Sequence, residues 1–203
     1  MGGETTLCLC CSIPCLLTLF IWMGLSLQNY KPNCYIEDFY VPALNKHINS
    51  TATTAANFIF FDLKLQNVME ENGVLYDTIN LTFSYGLNPS VPIGKYTLPG
   101  AYQGHKKTAH RRDIMPTHGV NWDDAFAAVL NGSKVVFRVD LAGKVKFKRF
   151  FSYSRTKALV VGADVEVDGS GNKVRRKAIK MKSGGRGKPK LQLEAGGSLI
   201  SSF

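Results

Sequence analysis

Alternation of apolar and polar residues with a period of two is the feature that most limits how this chain can fold. The clearest example is Ile59–Leu65, where Phe61 and Leu63 share the apolar side and Lys64 lies on the polar side. Such a period puts one face of a strand in a core and the other in water. Further strands are predicted at Cys34–Val41, Ile79–Tyr85, Lys95–Leu98, Val135–Leu141 and Val161–Val167. About seven short strands separated by turns predict a mainly β fold, an immunoglobulin/fibronectin-III-like β-sandwich.

The segments between these strands predict how they connect. Glu70–Gly73 is a turn signal, so the strands on either side of it are expected to form a hairpin. Ala142-Gly143 predicts another turn, and Lys173–Lys182 a basic strand. Asn121 is a helix-capping residue type and predicts one short helix that ends at Asn131-Gly132.

Two rows of alternating charge are expected to face each other across neighbouring strands, as cross-strand pairs of opposite sign do. The rows are Lys144, Lys146 and Lys148 on one strand and Asp164, Glu166 and Asp168 on the other. This part of the charge is therefore predicted to be structural.

An uncharged and mostly apolar segment, Leu7–Leu27, lies close to the N-terminus. A helix needs roughly 20 such residues to cross the hydrocarbon core, and Trp22 suits the membrane surface. We therefore predict a transmembrane helix. The alternative is a cleaved secretory signal, because Gly24 and Ser26 are small residues with the spacing of a signal-peptidase site. The residues before the segment lack the positive charge with which signal peptides usually begin.

This segment divides the chain of 203 residues into a short tail at 1–6, the helix at 7–27, a sandwich domain at 28–182 and a tail at 183–203. The last part is rich in Gly, Ser and Lys, a composition typical of disorder. The formal net charge is +10, and the excess of Lys and Arg lies almost entirely after residue 100. A basic surface attracts lipid headgroups, acidic polysaccharide or nucleic acid. The membrane segment argues against nucleic acid.

Residues at the start of the chain are candidates for lipidation. Cys8, Cys10 and Cys11 are placed for reversible palmitoylation, and Gly2 begins a myristoylation pattern. Ordinary apolar residues of a membrane span explain the cysteines equally well. Cys34 is the one cysteine beyond the segment, so no disulfide framework is predicted.

Three sequons for N-glycosylation begin at Asn49, Asn80 and Asn131. They are predicted in a loop, on the outward face of a strand and at a helix end. These exposed positions fit a chain that is translocated into a glycosylating compartment, although so loose a pattern also occurs by chance.

The densest run of basic residues lies within Gly104–Arg112, which is predicted to be a loop or an edge strand. We define its lysines and arginines, Lys106, Lys107, Arg111 and Arg112, as the basic patch. The patch is expected either to hold an acidic polysaccharide, an anionic headgroup or a protein partner, or to be a solvated loop. His105 and His110 do not predict a metal site, because no third ligand follows and the neighbouring cations oppose one.

Sequence motifs for catalysis are lacking. The chain contains no Gly-x-Ser-x-Gly elbow, no phosphate-cradling glycine loop and no His-Glu-x-x-His motif. We therefore expect a protein that is not an enzyme and carries no cofactor.

Several stretches together resemble the plant non-race-specific disease resistance and harpin-induced-like family. They are the cysteine-rich apolar segment, Lys31–Leu44, Leu75–Ser84, Tyr102–Lys107, Val136–Lys148, Gly162–Val167 and Ala178–Lys182. The sequences YQGHKK and GADVEV are the most specific pieces. The resemblance covers nearly the whole chain. One departure is Gln66-Asn67-Val68, where many relatives have Asn-Pro-Asn, so a different turn is expected there.

The resemblance implies a late-embryogenesis-abundant type-2 sandwich, held at the outer face of the plasma membrane by a single span. It implies a role in defence signalling against bacterial pathogens, including the hypersensitive response, as a scaffold or cell-wall adhesion module. A defence-related protein or an acidic cell-wall polysaccharide is the expected partner. The alternatives are a dehydration or abiotic stress protectant of the same sandwich class and a secreted protein that binds wall polymers. The family implies no catalytic residues.

Overall fold

A computed structural model describes residues 14, 16–18, 20–21, 31–46, 57–86, 91–149 and 151–183. Its contacts divide the chain into two compact units, Met1–Lys31 and Pro32–Phe203. In the first unit the described residues that fall within Leu7–Leu27 are helical, and their side chains are exposed. Among the described residues, no helix is both long and apolar enough to cross a membrane.

Within the described residues of the second unit, eleven strands and the α-helix Trp122–Leu130 are formed. The strands are β1 (Asn33–Tyr40), β2 (Phe58–Gln66), β3 (Gly73–Tyr76), β4 (Ile79–Tyr85), β5 (Val91–Leu98), β6 (Ala101–Gln103), β7 (Thr108–Pro116), β8 (Val135–Arg149), β9 (Ser152–Tyr153), β10 (Lys157–Val167) and β11 (Ile179–Lys180). A 3₁₀ turn spans Pro42–Leu44, and helix α1 spans Trp122–Leu130. The prediction of a mainly β fold is confirmed.

Two antiparallel sheets make up this unit. The first has four strands in the order β11-β1-β2-β7, so that β7 forms one edge. The second has seven strands built around the long strand β8. Strands β4 and β3 follow each other along one side of β8, and β10 and β9 follow each other along the opposite side.

Phenylalanine side chains join the inner faces of the two sheets. The ring of Phe61 in β2 lies 5.2 Å from that of Phe83 in β4, between centroids. The ring of Phe39 in β1 lies 5.5 Å from that of Phe137 in β8. All four side chains are at most 2% exposed. Because these contacts run from one sheet to the other, the two sheets pack face to face as a sandwich.

The predicted helix is confirmed as α1. The side-chain oxygen of Asn121 accepts a hydrogen bond from the backbone N–H of Asp124, and the first turn is acidic, as its dipole favours. The helix buries Trp122, Ala125 and Val129, whereas Leu130 remains 53% exposed. The ring of Trp122 lies 6.3 Å from that of Phe137, so the helix covers one end of the aromatic core.

The predicted hairpin around Glu70–Gly73 is wrong. Strands β2 and β4 belong to different sheets and face each other across the core. The segment Gly73–Tyr76 is instead a separate short strand that pairs with the end of β8. Alternation of apolar and polar residues correctly identified β2 and β4 as strands. The same alternation occurs in strands that pair within one sheet and in strands that face each other across the core, so it did not show which of the two applies.

The predicted turn at Ala142-Gly143 is also wrong, because β8 continues through it to Arg149. A Cβ atom at Gly143 would lie 3.2 Å from the side chain of Ile79, so the small residue permits close approach of β4 rather than a turn. This changes the register of β10. Asp164 pairs with Arg138 and Glu166 with Val136, so the predicted row of lysines does not face the acidic row.

The predicted basic strand over Lys173–Lys182 is reduced to the two residues of β11 and isolated bridges at Lys173 and Lys182. Lys173 is the reason for the break. It is only 9% exposed, and its ammonium group donates to the backbone oxygens of Glu37 and Lys177. The segment between Lys173 and Ile179 therefore contacts this side chain through the backbone oxygen of Lys177 and forms no continuous strand.

Asn67 lies just after β2, in the segment Gln66-Asn67-Val68 that departs from the family pattern, and its side chain holds the loop there. Its side chain is 1% exposed and donates to the backbone oxygens of Asn72 and Gly104 at 2.8 and 3.0 Å. Its side-chain oxygen accepts from the backbone N–H of Met69 at 3.0 Å. One buried amide thus satisfies backbone groups of two loops, which water cannot reach.

Replacing Asn67 by Ala is expected to lower the free energy of unfolding by about 2–3 kcal/mol, because two buried backbone groups and one half-buried backbone oxygen lose a partner. Chemical denaturation of the unglycosylated chain measures this. Asn80→Ala is the matched control, since Asn80 is exposed on β4, and its effect should stay within about 0.5 kcal/mol. Equal losses in the two variants would contradict the role assigned to Asn67.

Candidate functional surface on the four-stranded sheet

The outer face of the four-stranded sheet carries a row of basic side chains. Register places Lys180 of β11 beside Tyr35 of β1, Tyr35 beside Lys64 of β2, and Lys64 beside His110 of β7. Paired residues point to the same side of a sheet, so these four side chains form one line across all four strands. We call this line, with Arg112, the basic face.

Tyr35 lies between the two lysines of the basic face. The ammonium groups of Lys64 and Lys180 each lie 6.0 Å from the centroid of its ring. Lys64 also pairs with Glu37 at 3.1 Å, whereas no carboxylate pairs with Lys180 among the described residues. A cation over an aromatic face keeps its N–H donors available to an anion on the solvent side. The row can therefore offer charge and an aromatic surface together.

A buried carboxylate, Asp62, holds the next row of the face. It is 2% exposed, and it accepts from the guanidinium of Arg112 at 2.8 Å and lies 3.2 Å from Nδ1 of His110. The pKa of Arg112 is raised, first by this hydrogen bond and then by the charge of Asp62. The exposed edge strand β7 is thus fixed to β2 by its own basic side chains.

Behind this row lies Lys173. Burial lowers its pKa, while the charges of Asp38, Glu37 and Asp62 oppose the change. The groove beside it has a volume of about 520 Å³ and is lined by Asp38, Phe39, Tyr40, Asp168, Ser170, Asn172, Lys173, Val174 and Arg176. The buried charges therefore neutralise each other in part, and the exposed cations lie toward the edges of the sheet.

Tyr96 holds the other side of the edge strand. Its hydroxyl donates to the carboxylate of Asp113, and this bond, followed by the backbone N–H of Ile114, lowers the pKa of Asp113. Tyr96 belongs to β5, so the contact links the edge of one sheet to the other.

The structure divides the residues of the predicted basic patch. Lys106 lies in the turn before β7 and pairs with Glu70 at 2.6 Å, and Lys107 is exposed in the same turn. Arg112 is on the basic face, whereas Arg111 is next to it in the strand and points to the opposite side. Of the two predicted conformations, the edge strand is confirmed for Thr108–Arg112 and the turn precedes it.

The other predicted sites have mixed positions. Asn80 is exposed in β4 and Asn131 is exposed at the C-terminal end of α1, as predicted for glycosylated residues, and glycosylation itself stays a prediction. Asn49 lies outside the described residues, as do the lipidation candidates Gly2, Cys8, Cys10 and Cys11. Cys34 is a buried free thiol whose pKa burial raises to about 12, so it stays protonated at neutral pH.

In the described part of the chain, no three His, Cys, Asp or Glu side chains converge as a metal site would require. Asp62 and His110 meet, but their other neighbours are cations. The face can attract anions, and it presents no cluster of metal ligands.

Sequence reasoning missed four residues of this region: Tyr35, Asp62, Lys173 and Lys180. The alternation of β2 put Asp62 on its polar side, which is correct, yet neighbouring strands bury that position. Lys173 and Lys180 both fall in the predicted basic strand Lys173–Lys182. The available signal was a mixture of Asp, Lys and His at alternate positions of three strands. It indicates a shared charged face only once the pairing register of those strands is known.

We expect a double-mutant cycle of Asp62→Asn and Arg112→Gln to give a coupling energy larger than that of Glu70→Gln and Lys106→Gln. The carboxylate of Asp62 is 3% exposed and that of Glu70 is 75% exposed, so water and salt screen the second pair more strongly. Urea denaturation at low and high salt measures both cycles. Equal couplings, or equal losses in salt, would contradict the burial argument.

Comparison with known proteins gives one clear relative. The chain is 39% identical over 191 residues to Protein NDR1 of Arabidopsis thaliana, covering 89% of this chain and 84% of that protein. No family model matches.

Two solved structures show weaker likeness. A solution structure of an Arabidopsis thaliana protein matches 70% of this chain and 83% of its own at 10% identity, with a TM-score of 0.46. A crystal structure of an Archaeoglobus fulgidus protein covers 56% of this chain and 88% of its own at 9% identity, with a TM-score of 0.31. Both scores are below 0.5, so the fold rests on the strands and contacts described above. By its identity with Protein NDR1 along most of both chains, this chain belongs to the plant non-race-specific disease resistance and harpin-induced-like family.

Proposed function

We propose that this chain is a non-enzymatic, membrane-anchored protein of plant defence signalling, active in the response to bacterial pathogens and the hypersensitive response. The observation that carries the proposal is the 39% identity with Protein NDR1 over 89% of the chain. The matched 89% of the chain is longer than the predicted sandwich domain at 28–182, so the match extends beyond that domain. This supports a shared role for the whole protein rather than a shared fold alone.

In this proposal Leu7–Leu27 is a single span of the plasma membrane, and the late-embryogenesis-abundant type-2 sandwich lies on the exterior face. The apolar composition of the segment and the exposed sequons Asn80 and Asn131 support this arrangement. If the segment is cleaved, the protein is secreted instead.

The sandwich then acts as a scaffold or adhesion module at the cell wall. The basic face supports this role, because Lys64 and Lys180 flank an aromatic ring and suit the carboxylates and sugar faces of an acidic polysaccharide. A defence-related protein with an acidic surface is the other partner of matching charge.

Protease treatment of intact plant cells is expected to remove the sandwich and leave an N-terminal stub in the membrane. Mapping of the mature N-terminal peptide should then show Leu7–Leu27 retained, and it reports lipid on Gly2 or the nearby cysteines in the same experiment. Full protection of the sandwich would contradict the exterior position. A mature N-terminus just after Ser26 would identify a secreted protein.

The double variant Lys64→Gln, Lys180→Gln is expected to bind polygalacturonate severalfold more weakly than the wild type, because two cations of the basic face are lost. Lys95→Gln is the matched control, since Lys95 is exposed on β5 of the other sheet. Thermal unfolding should be similar in all three proteins.

Plants that lack the protein are expected to support more bacterial growth, and the wild-type chain and the control variant should restore resistance. Failure of the wild type to restore resistance would contradict the defence role. Full restoration by the double variant would remove the basic face from that role while leaving the rest of the proposal in place.

A further inference from the structure

A fully exposed aromatic side chain lies at the end of the hairpin between β8 and β9. Phe151 is fully exposed at its tip, and Tyr153 on the return strand is 53% exposed. Tyr102 of β6 is also 53% exposed and lies over Gly73, which pairs with Lys148 near the end of β8. One exposed aromatic residue on a surface needs no explanation, but three at one end of a sheet form an apolar surface.

Basic side chains surround these rings. From Leu141 to Ala163 the sequence contains six Lys or Arg residues and no Asp or Glu. Lys146, Lys148 and Arg155 are exposed, and Lys157 is exposed on the other side of the sheet, where its ammonium group lies 5.5 Å from the centroid of the Phe147 ring. The ammonium group of Lys148 lies 5.6 Å from the centroid of the Tyr102 ring, so cation and aromatic ring are presented side by side.

Acidic residues near the hairpin leave this positive charge in excess. Glu70 pairs with Lys106 and so does not neutralise the hairpin. Glu71 and Asp77 flank strand β3, and these two carboxylates are outnumbered by the exposed cations Lys144, Lys146, Lys148, Arg155 and Lys157.

An anionic bilayer matches this combination. Its surface attracts Lys and Arg, its headgroup region suits Tyr, and the boundary with the acyl chains accepts Phe. A dissolved acidic polymer offers charge but no apolar layer for a fully exposed Phe ring. We propose that the β8–β9 hairpin is a peripheral membrane-contact site, in which Phe151 enters an anionic lipid surface and the surrounding cations bind phosphate groups.

This contact goes beyond the proposed function, because it belongs to the sandwich and not to Leu7–Leu27. With the sandwich on the exterior face, the contact is made to anionic lipid of the outer leaflet. Retention of the protein in membranes would not by itself reveal it. A reporter at the hairpin tip is therefore needed to detect the hairpin contact separately from membrane retention by Leu7–Leu27.

The test uses the full chain in vesicles of phosphatidylcholine, with and without phosphatidylserine, prepared with ordinary or brominated lipid. Phe151→Trp places the reporter at the tip, and its exposed position makes the exchange harmless to folding, as circular dichroism can verify. Leu130→Trp is the matched control, because Leu130 is exposed at the end of α1, ahead of the start of β8. Strand β8 lies between the two positions in the chain, and its 15 residues span about 45 Å at roughly 3.3 Å per residue. The wild type measures the background of Trp22 and Trp122.

We expect the added emission of Phe151→Trp to shift to shorter wavelength and to fall about twofold with brominated lipid in phosphatidylserine vesicles, since the ring then lies at the acyl boundary. Leu130→Trp should show neither change. Exchanging Lys146, Lys148, Arg155 and Lys157 for Gln should abolish the dependence on phosphatidylserine.

Equal quenching at both positions, or none at Phe151→Trp, would overturn the proposal. So would a spectral shift with polygalacturonate and none with vesicles, which would assign the hairpin to an acidic polymer. If the wild-type chain itself does not stay with the vesicles, that result counts against the proposed anchor Leu7–Leu27. Measuring the wild type separately therefore distinguishes failure of the anchor from failure of the hairpin contact.

Discussion

Packing of two sheets through phenylalanine rings is the constraint on which the rest of this structure depends. Phe39 and Phe61 project from one sheet and Phe83 and Phe137 from the other, with centroids 5.2 to 6.4 Å apart where the sheets meet. Each buried ring removes a large apolar area from water, and ring pairs contribute about 0.5–1.5 kcal/mol beyond that area. With the inner faces committed to this core, the polar residues at alternate positions must lie on the outer faces.

That division explains why the pieces most specific to the family are structural. In YQGHKK, Gln103 is 6% exposed, donates to the backbone oxygens of Leu65 and Lys107 and accepts from the hydroxyl of Tyr76, so it joins β6 to both sheets. In GADVEV, a Cβ atom at Gly162 would collide with the ion pair of Arg138 and Asp140. Gln103 and Gly162 are required by the sandwich, and neither belongs to the basic face or to the aromatic surface at the hairpin.

Strand prediction succeeded where a local period was enough. Cys34–Val41, Ile59–Leu65 and Ile79–Tyr85 match β1, β2 and β4 closely, and the Asn121 cap located α1. Partners were mispredicted because pairing depends on distant residues. The small residues Ala142-Gly143 resemble a turn, yet they permit β4 to approach β8 closely. The basic patch was similarly predicted from a run of charge, although adjacent residues of a strand point to opposite faces.

The sequence by itself determined most of the long strands, the capped helix Trp122–Leu130, the family and the presence of an apolar segment near the N-terminus, because each is encoded in a local period, a cap or a motif. Only the tertiary structure decided which strands pair, which cations share a face and which polar groups are buried. Asp62 shows the physical reason. Its neighbours in sequence mark it as an exposed position, yet it is buried, and the side chains of His110 and Arg112, which lie far from it along the chain, contact its carboxylate.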